Sequence, residues 1–295
     1  MMDQLLQLIF NGLVSGGILA LGAAGASLVW GVLRIGNFAH GDYMALGAFT
    51  AYALGTVPGV PLVLAALGAM IVVASLAVIV DRTVLRLMGG RGLTSVFIVT
   101  VGISFLIRNT LFIAFGSGAR QYSIDQALVY VVGPLRVSPG QVITLVAMVC
   151  AVAALGWLLG YTTIGRSMRA VAENKDLAAV TGVNTDRLSS ITWVISGGLA
   201  GLAGVCLGLV QGTFDASMGA YTLFLVFTAV VLGGIGSAYG ALGGGLALGM
   251  TMEVSTWQGF AGGLDPRYKV VLAFAVLIAL LLFRPQGLFG KDRLL

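Results

Sequence analysis

The sequence predicts an all-α, polytopic membrane bundle of about nine transmembrane helices, with eight to ten as the range. Three observations carry this. Of 295 residues, 58% are hydrophobic and only 9% are charged, against roughly 25% charged in a soluble domain. The mean hydropathy is +1.02, and so few polar residues cannot cover a globular surface. Apolar stretches of bilayer-crossing length recur along the whole chain, so 1–295 reads as a single transmembrane domain with no soluble part.

A crossing helix needs roughly 17–25 apolar residues. Candidate spans fall near 8–31, 37–56, 61–81, 94–115, 140–160, 189–211, 221–238, 240–259 and 267–283. The first follows MMDQLLQLIF, which lacks the positive segment of a signal peptide, so it reads as a retained span. Its Gly12 and Gly16 have the small-xxx-small spacing that lets helices approach closely in lipid. The fourth carries Arg108 inside its apolar run. The fifth and sixth contain Cys150 and Cys206, read as buried free thiols. The sixth also holds a ladder of Gly197, Gly201, Gly204, Gly208 and Gly212, read as a helix-packing face. The seventh and eighth are divided by GGIGSAYGALGGG, an uncharged tight turn or re-entrant break. The eighth holds Gly245, Gly249 and Glu253.

Basic residues orient the bundle. Arg34, then Arg82, Arg86 and Arg91, then Arg166, Arg169, Lys175 and Arg187, then Arg284, Lys291 and Arg293 all fall on one side if nine spans alternate. That side holds 11 of the 16 basic residues and is assigned to the cytoplasm. The N-terminus, 116–139 and 212–220 then face outward.

The segment 165–188 holds seven of the 16 basic and 11 acidic residues. Ser167 to Val180 reads as one short helix, with Met168, Val171, Ala172, Ala178 and Ala179 on one side. Arg169 and Glu173 stand four apart and can pair. Gly182 can end the helix in a left-handed conformation. By its residues alone this segment is either a helix that fits a shallow groove on another protein or a solvated interfacial loop.

Four segments, in order, carry a resemblance. Glu173-Asn174, Ala178-Ala179 and Gly182-Val183, preceded by Gly165-Arg166 and Met168-Arg169, resemble the cytoplasmic coupling motif of ABC-importer permeases, in the branch that carries branched-chain amino acids. The runs from Gly31 to Asp42, from Val231 to Ser237 with Gly240, Gly244, Gly249 and Glu253, and from Phe283 to Gly290 resemble that family's other signatures. Lys175 stands where the family often has Pro, and Gly36 where it commonly has a small aliphatic residue.

The resemblance implies a type II importer permease in a bacterial inner membrane, its C-terminus cytoplasmic. It implies as partners a second homologous permease, two ABC ATPase subunits and an extracytoplasmic solute-binding protein. Arg166, Arg169, Glu173, Asn174, Ala178, Ala179 and Gly182 would couple it to an ATPase. Urea, amide or small carboxylate importers share these motifs, which leaves the solute open. A secondary transporter or channel working without ATP is the alternative from another class.

The chain has only three lysines, Lys175, Lys269 and Lys291. Only Lys291 follows a glycine, and Asp292 follows it, so no Walker A phosphate loop is present. ATP and Mg belong to partner subunits, no cofactor or metal is expected here, and no pattern suggests an enzyme or nucleic-acid binding. Asn37, His40 and Asp42, among Gly36, Gly41 and Gly47, read either as a broken helix lining a translocation pathway or as a turn capping the second helix at Asn37. Glu253 is a fourth pathway candidate. Arg108 and Glu253 are charges within apolar runs that either pair with each other or stand apart, Arg108 reaching to the outer interface and Glu253 held in a buried hydrogen bond.

Overall fold

A computed structural model describes residues 2–57, 60–88, 92–123, 128–259, 263–284 and 286–288. The helices, in order, are α1 (Met2–Leu33), α2 (His40–Gly55), α3 (Leu62–Val80), α4 (Leu93–Phe115), α5 (Pro139–Tyr161), α6 (Thr163–Glu173), α7 (Lys175–Val180), α8 (Thr185–Gln211), α9 (Met218–Gly233), α10 (Ala238–Val254) and α11 (Lys269–Phe283). A π-helical turn, Asp81–Leu85, and a 3-10 turn, Arg86–Met88, extend α3. The loop before α5 folds into a hairpin of β1 (Tyr130–Val132) and β2 (Leu135–Val137), which the all-helical expectation omitted.

Among the described residues nine apolar helices lie near where the sequence places them, but nine complete crossings are not reproduced. Among the described residues six helices are long and apolar enough to cross a bilayer, and α9 with α10 is a pair bent by 117°. The reason is length. At 1.5 Å per residue, α2 and α9 with 16 residues each and α10 with 17 fall short of a ~30 Å hydrocarbon core. Irregular, non-helical segments at 34–39 and 212–217 lead into α2 and α9, which begin within the bundle.

The long helices α1 and α8 are the buried axis, while α3, α4, α5 and α11 form the perimeter. Lipid tails are as apolar as Leu, so no hydrophobic drive pushes these helices together; close van der Waals packing must do it. The glycine ladder of α8 supplies that closeness. A Cβ on Gly204 would overlap the Met44 carbonyl of α2, and one on Gly197 would lie 2.8 Å from the Ala74 Cα of α3. On the other side α10 runs antiparallel along α1, with Gly249 against Gly16 and Gly245 against Ala20. Cys206 is buried as expected, but Cys150 is exposed on the outer face of α5. Sequence could not separate the two because both sit in equally apolar runs.

The contacts also sort the two ends. At one end the C-terminus of α1, the turn after α3, α6, α7, the start of α8 and the α9–α10 turn lie together. Gly31 faces Gly236 there, and Leu288 N donates to the Leu232 carbonyl. Arg34, Arg82, Arg86, Arg166, Arg169, Lys175 and Arg187 belong to this end. At the other end Arg120 and Phe214 pair through both backbone bonds, and Phe214 packs between Phe49 and Tyr122. Arg91, Lys291, Arg293, Pro285, Phe289 and Gly290 lie outside the described residues.

Replacing Gly204 with Val should destabilise the fold by about 3 kcal/mol, the upper end of core overpacking, because backbone blocks the new side chain. Gly198→Ala should be neutral or stabilising, since its nearest neighbour is the Met70 methyl at 3.8 Å. Thermal unfolding in detergent separates the two.

Candidate functional site

The charged segment is two helices, not the single one expected over 167–180. Asn174 breaks it with extended dihedrals, and its Oδ1 accepts from Leu177 N at 3.0 Å to cap α7. Asn competes with helical bonding through its own side chain, which favours a cap over a helix interior. Thr162 caps α6 by accepting from Gly165 N at 3.2 Å. Gly182, at φ +90°, ends α7. Val183 N donates to the Ala178 carbonyl and Gly182 N to the Ala179 carbonyl, a complete Schellman motif. Asn184 then caps α8 by accepting from Arg187 N at 2.8 Å. Thus α7 and α8 are joined by a short, internally bonded turn.

Two expectations fail here. Met168, Val171 and Ala178 point inward and are buried, so they anchor the segment to its own bundle rather than facing a partner. The apolar surface left outside is Leu177, 61% exposed, and Val180, 85% exposed, beside Ala179. Arg166, Glu173, Asn174, Lys175 and Gly182 surround it and are exposed. Arg169 does not pair with Glu173; its Nη1 donates to the Leu159 carbonyl in the last turn of α5. Arg34 does the same for α6, with Nη2 3.0 Å from the Ala172 carbonyl. Both arginines satisfy carbonyls that a helix end leaves open, where the dipole favours a cation. Arg34 has φ +59°, a left-handed conformation that costs roughly 1–2 kcal/mol for a residue with a Cβ.

A second network ties α3 to α8 behind this surface. Asp81 is buried, Arg86 Nε donates to its Oδ2 at 2.8 Å, and Ser189 Oγ donates to it at 3.3 Å. Arg86 Nη2 also donates to Ser190 Oγ and to the Asp186 carbonyl, each at 2.8 Å.

Inside the bundle, Asn37, His40 and Asp42 are all buried. Asn37 is not the N-cap of α2. Its Oδ1 accepts from Ala39 N at 3.1 Å, an Asx turn, and its Nδ2 has no partner among the described residues. His40 Nε2 donates to the Gly22 carbonyl of α1 at 2.8 Å. The ring lies over Gly25, which also faces the Ser196 carbonyl of α8. Next to it, Gly41 and Gly219 press backbone to backbone, so the short helices α2 and α9 meet at their N-termini. Half-helices meeting within a bundle are a recurrent transporter feature.

Asp42 is completely buried and accepts from Arg108 twice, Nε to Oδ1 at 3.0 Å and Nη2 to Oδ2 at 3.1 Å. Ser104 Oγ also donates to it. The expected pairing of Arg108 with Glu253 is therefore wrong. Glu253 binds Lys269 at 2.6 Å and sits beside Gly12. Gly12 lies about 15 Å along α1 from Gly22 at 1.5 Å per residue. Glu253 is not part of the Asn37–His40–Asp42 cluster.

Comparison with known proteins gives the arrangement its context. The profile of the branched-chain amino acid transport system / permease component family matches residues 8–281. The chain belongs to this family. It is 32% identical to the high-affinity branched-chain amino acid transport system permease protein LivH of Escherichia coli K12, over 97% of this chain and 96% of that one. The match to BraD of Pseudomonas aeruginosa has the same identity and coverage. A probable LivH of Methanocaldococcus jannaschii is 28% identical over 93% of this chain and 89% of its own length. Among solved structures, PsaBC from Streptococcus pneumoniae in complex with a Fab matches 98% of this chain and 94% of its own. The TM-score is 0.50 at 16% identity, a likeness of fold alone.

Sequence reasoning missed one likeness within this permease. α2 and α9 are each 16-residue helices that follow a long helix and an irregular break holding a ring-packed Phe, Phe38 and Phe214, and Gly41 and Gly219 lie in their first turns. Asp42→Asn alone leaves the half-buried Arg108 without its counter-charge and should destabilise the permease by about 3 kcal/mol, the lower end for a broken buried pair. The double change Asp42→Asn with Arg108→Gln should recover most of that loss. Thermal unfolding of the two purified variants in one detergent is the measurement.

Proposed function

We propose that this chain is the translocation subunit of an ATP-driven importer. It carries branched-chain or related amino acids across a bacterial inner membrane into the cytoplasm, with its basic end cytoplasmic and its N-terminus outside. The observation that carries this reading is the surface of α7. An exposed apolar pair, Leu177 and Val180, stands among charges at the basic end of an otherwise lipid-type chain. Such a patch on a hydrated surface has the character of a docking site. Family membership and the names of the relatives support the solute class.

In this reading an ATPase subunit holds α7, and ATP and Mg bind there rather than in this chain. A second permease completes the translocation unit, and a binding protein delivers solute to the end that carries the β1–β2 hairpin. The path of force runs through bonded elements. Arg34 ties α6 to α1, the Schellman turn and Asn184 tie α7 to α8, and Asp81 with Arg86 ties α3 to α8. The glycine face of α8 then presses on α2, which carries His40 and Asp42. Two arrangements of the ATPases thereby bias two arrangements of the bundle.

Affinity purification from the native membrane should recover two ATPase subunits and a second permease. The pair of changes Leu177→Asp and Val180→Asp should lose the ATPases while the chain still inserts. Retention of the ATPases, or solute uptake without them, would promote an ATP-independent transporter. The binding protein titrated with leucine and with urea decides the solute class. Arg34→Ala should keep the ATPases bound but lower uptake per ATP hydrolysed several-fold, since it cuts only the tie between α6 and α1. Reconstituted vesicles give that ratio.

A further inference from the structure

We propose that Arg108, held in place by Asp42 and Ser104, takes the carboxylate of the transported amino acid, while Asp42 takes its ammonium group as the pair parts. This rests on the amino-acid reading above and adds the residues that would recognise the solute within the membrane.

The first argument is charge. A zwitterion that leaves water needs both signs of counter-charge at one place, because an unpaired charge at low dielectric is strongly disfavoured. Asp42–Arg108 offers both. Exchange of one internal pair for two pairs with the solute strands no charge at any step. The other ion pairs among the described residues lie elsewhere. Asp81–Arg86 and Arg86–Asp186 are at the basic end, and Glu253–Lys269 joins α10 to the start of α11.

The second argument is access. Asp42 is sealed, but the Arg108 side chain is 20% exposed. Its Nε and Nη2 bind Asp42, its Nη2 also binds Ser104, and its Nη1 has no partner among the described residues. The guanidinium lies 5.5 Å from the centre of the exposed Phe105 ring. Nη1 is thus free for a second carboxylate while Nε and Nη2 are held, and release of Ser104 by Nη2 would complete the two-pronged binding that guanidinium gives that group.

The third argument is the face on which Arg108 opens. The outer face of α4 is itself largely apolar, with Leu93, Phe97, Ile98, Phe105, Leu106 and Ile113 exposed, and its Asn109 and Thr110 donate to the Phe105 and Leu106 carbonyls of the same helix. Arg108 distinguishes it from the outer faces of α3 and α11, which carry no charge between Leu62 and Val80 or between Val270 and Phe283. A charge that opens part-way on such a face needs water or protein beside it, here a water-filled path or the second permease. Arg108 lies nearer the Phe115 end of α4, which is the end at which solute is delivered in the orientation proposed above.

The complete importer in proteoliposomes, with its ATPases, second permease and binding protein, tests this. Asp42→Asn with Arg108→Gln should still assemble with the ATPases, yet leucine uptake per ATP hydrolysed should fall at least ten-fold. Uptake equal to the unaltered importer would make the pair structural and overturn the proposal. A second measurement leaves the pair intact. In a Cys150→Ser background, Asn109→Cys should react with a membrane-impermeant, negatively charged thiol reagent, and leucine-loaded binding protein should slow that reaction. No reaction in any state of the importer would assign this face to lipid and overturn the proposal. The amino-acid reading fails separately, through an unaltered importer that carries urea but no leucine.

Discussion

Close backbone contact along α8 is the constraint on which the rest of this permease depends. In lipid, apolar side chains gain nothing by leaving one hydrocarbon for another, so helices associate only where many short contacts form. Gly197, Gly201 and Gly204 let α2 and α3 approach α8 until backbone meets backbone, with Gly47 on α2 only 2.5 Å from Gly201 by the position a Cβ would take. That approach fixes where the short helix α2 begins, and therefore where His40 and Asp42 sit. The same logic on α1 and α10 seats the α9–α10 turn against Gly31.

A second constraint acts on polar groups. With no water in the hydrocarbon region, each must find its partner within the protein. Arg108 is such a group, whereas Arg34 and Arg169 are exposed at the basic end and bond there through geometry rather than need. Arg34 and Arg169 spend their hydrogen bonds on carbonyls at helix ends, which makes α6 a rigid extension of α1 and α5. Arg108 reaches a carboxylate instead, and so joins α4 to α2 near the start of that short helix. The charged α6–α7 segment and the buried cluster are therefore two ends of one connected framework. Between them stands α8, whose N-terminus is bonded to that segment and whose glycine face holds α2.

The outer part of the site was legible in the sequence and the inner part was not. Gly182 announces a left-handed stop through residue type, because few other residues suit that backbone conformation, whereas the helical spacing reads straight through the break at Asn174. Arg108 was visible as a charge in an apolar run, and Asp42 as one of three polar residues at the start of the second span. Their partnership was not, since 66 positions separate them and nothing local distinguishes Glu253 as the wrong partner. The direction of the charged segment also failed. Helical spacing put Met168, Val171 and Ala178 on one side, but an amphipathic pattern does not say whether that side meets its own bundle or another protein. The deciding contact is Gly165 against the end of α5, where a Cβ would overlap the Leu159 carbonyl.

The sequence by itself determined the solvent, the nine apolar helical stretches and single ends such as the stop at Gly182. Composition, runs of apolar residues and capping residues act over a few positions, so they can be read along the chain. Tertiary structure decided which apolar helices fall short of a crossing, which charges neutralise each other and which side of the charged segment faces out. Those outcomes depend on distances between segments far apart in the chain. The close packing of glycine faces sets those distances, and a one-dimensional pattern does not contain them.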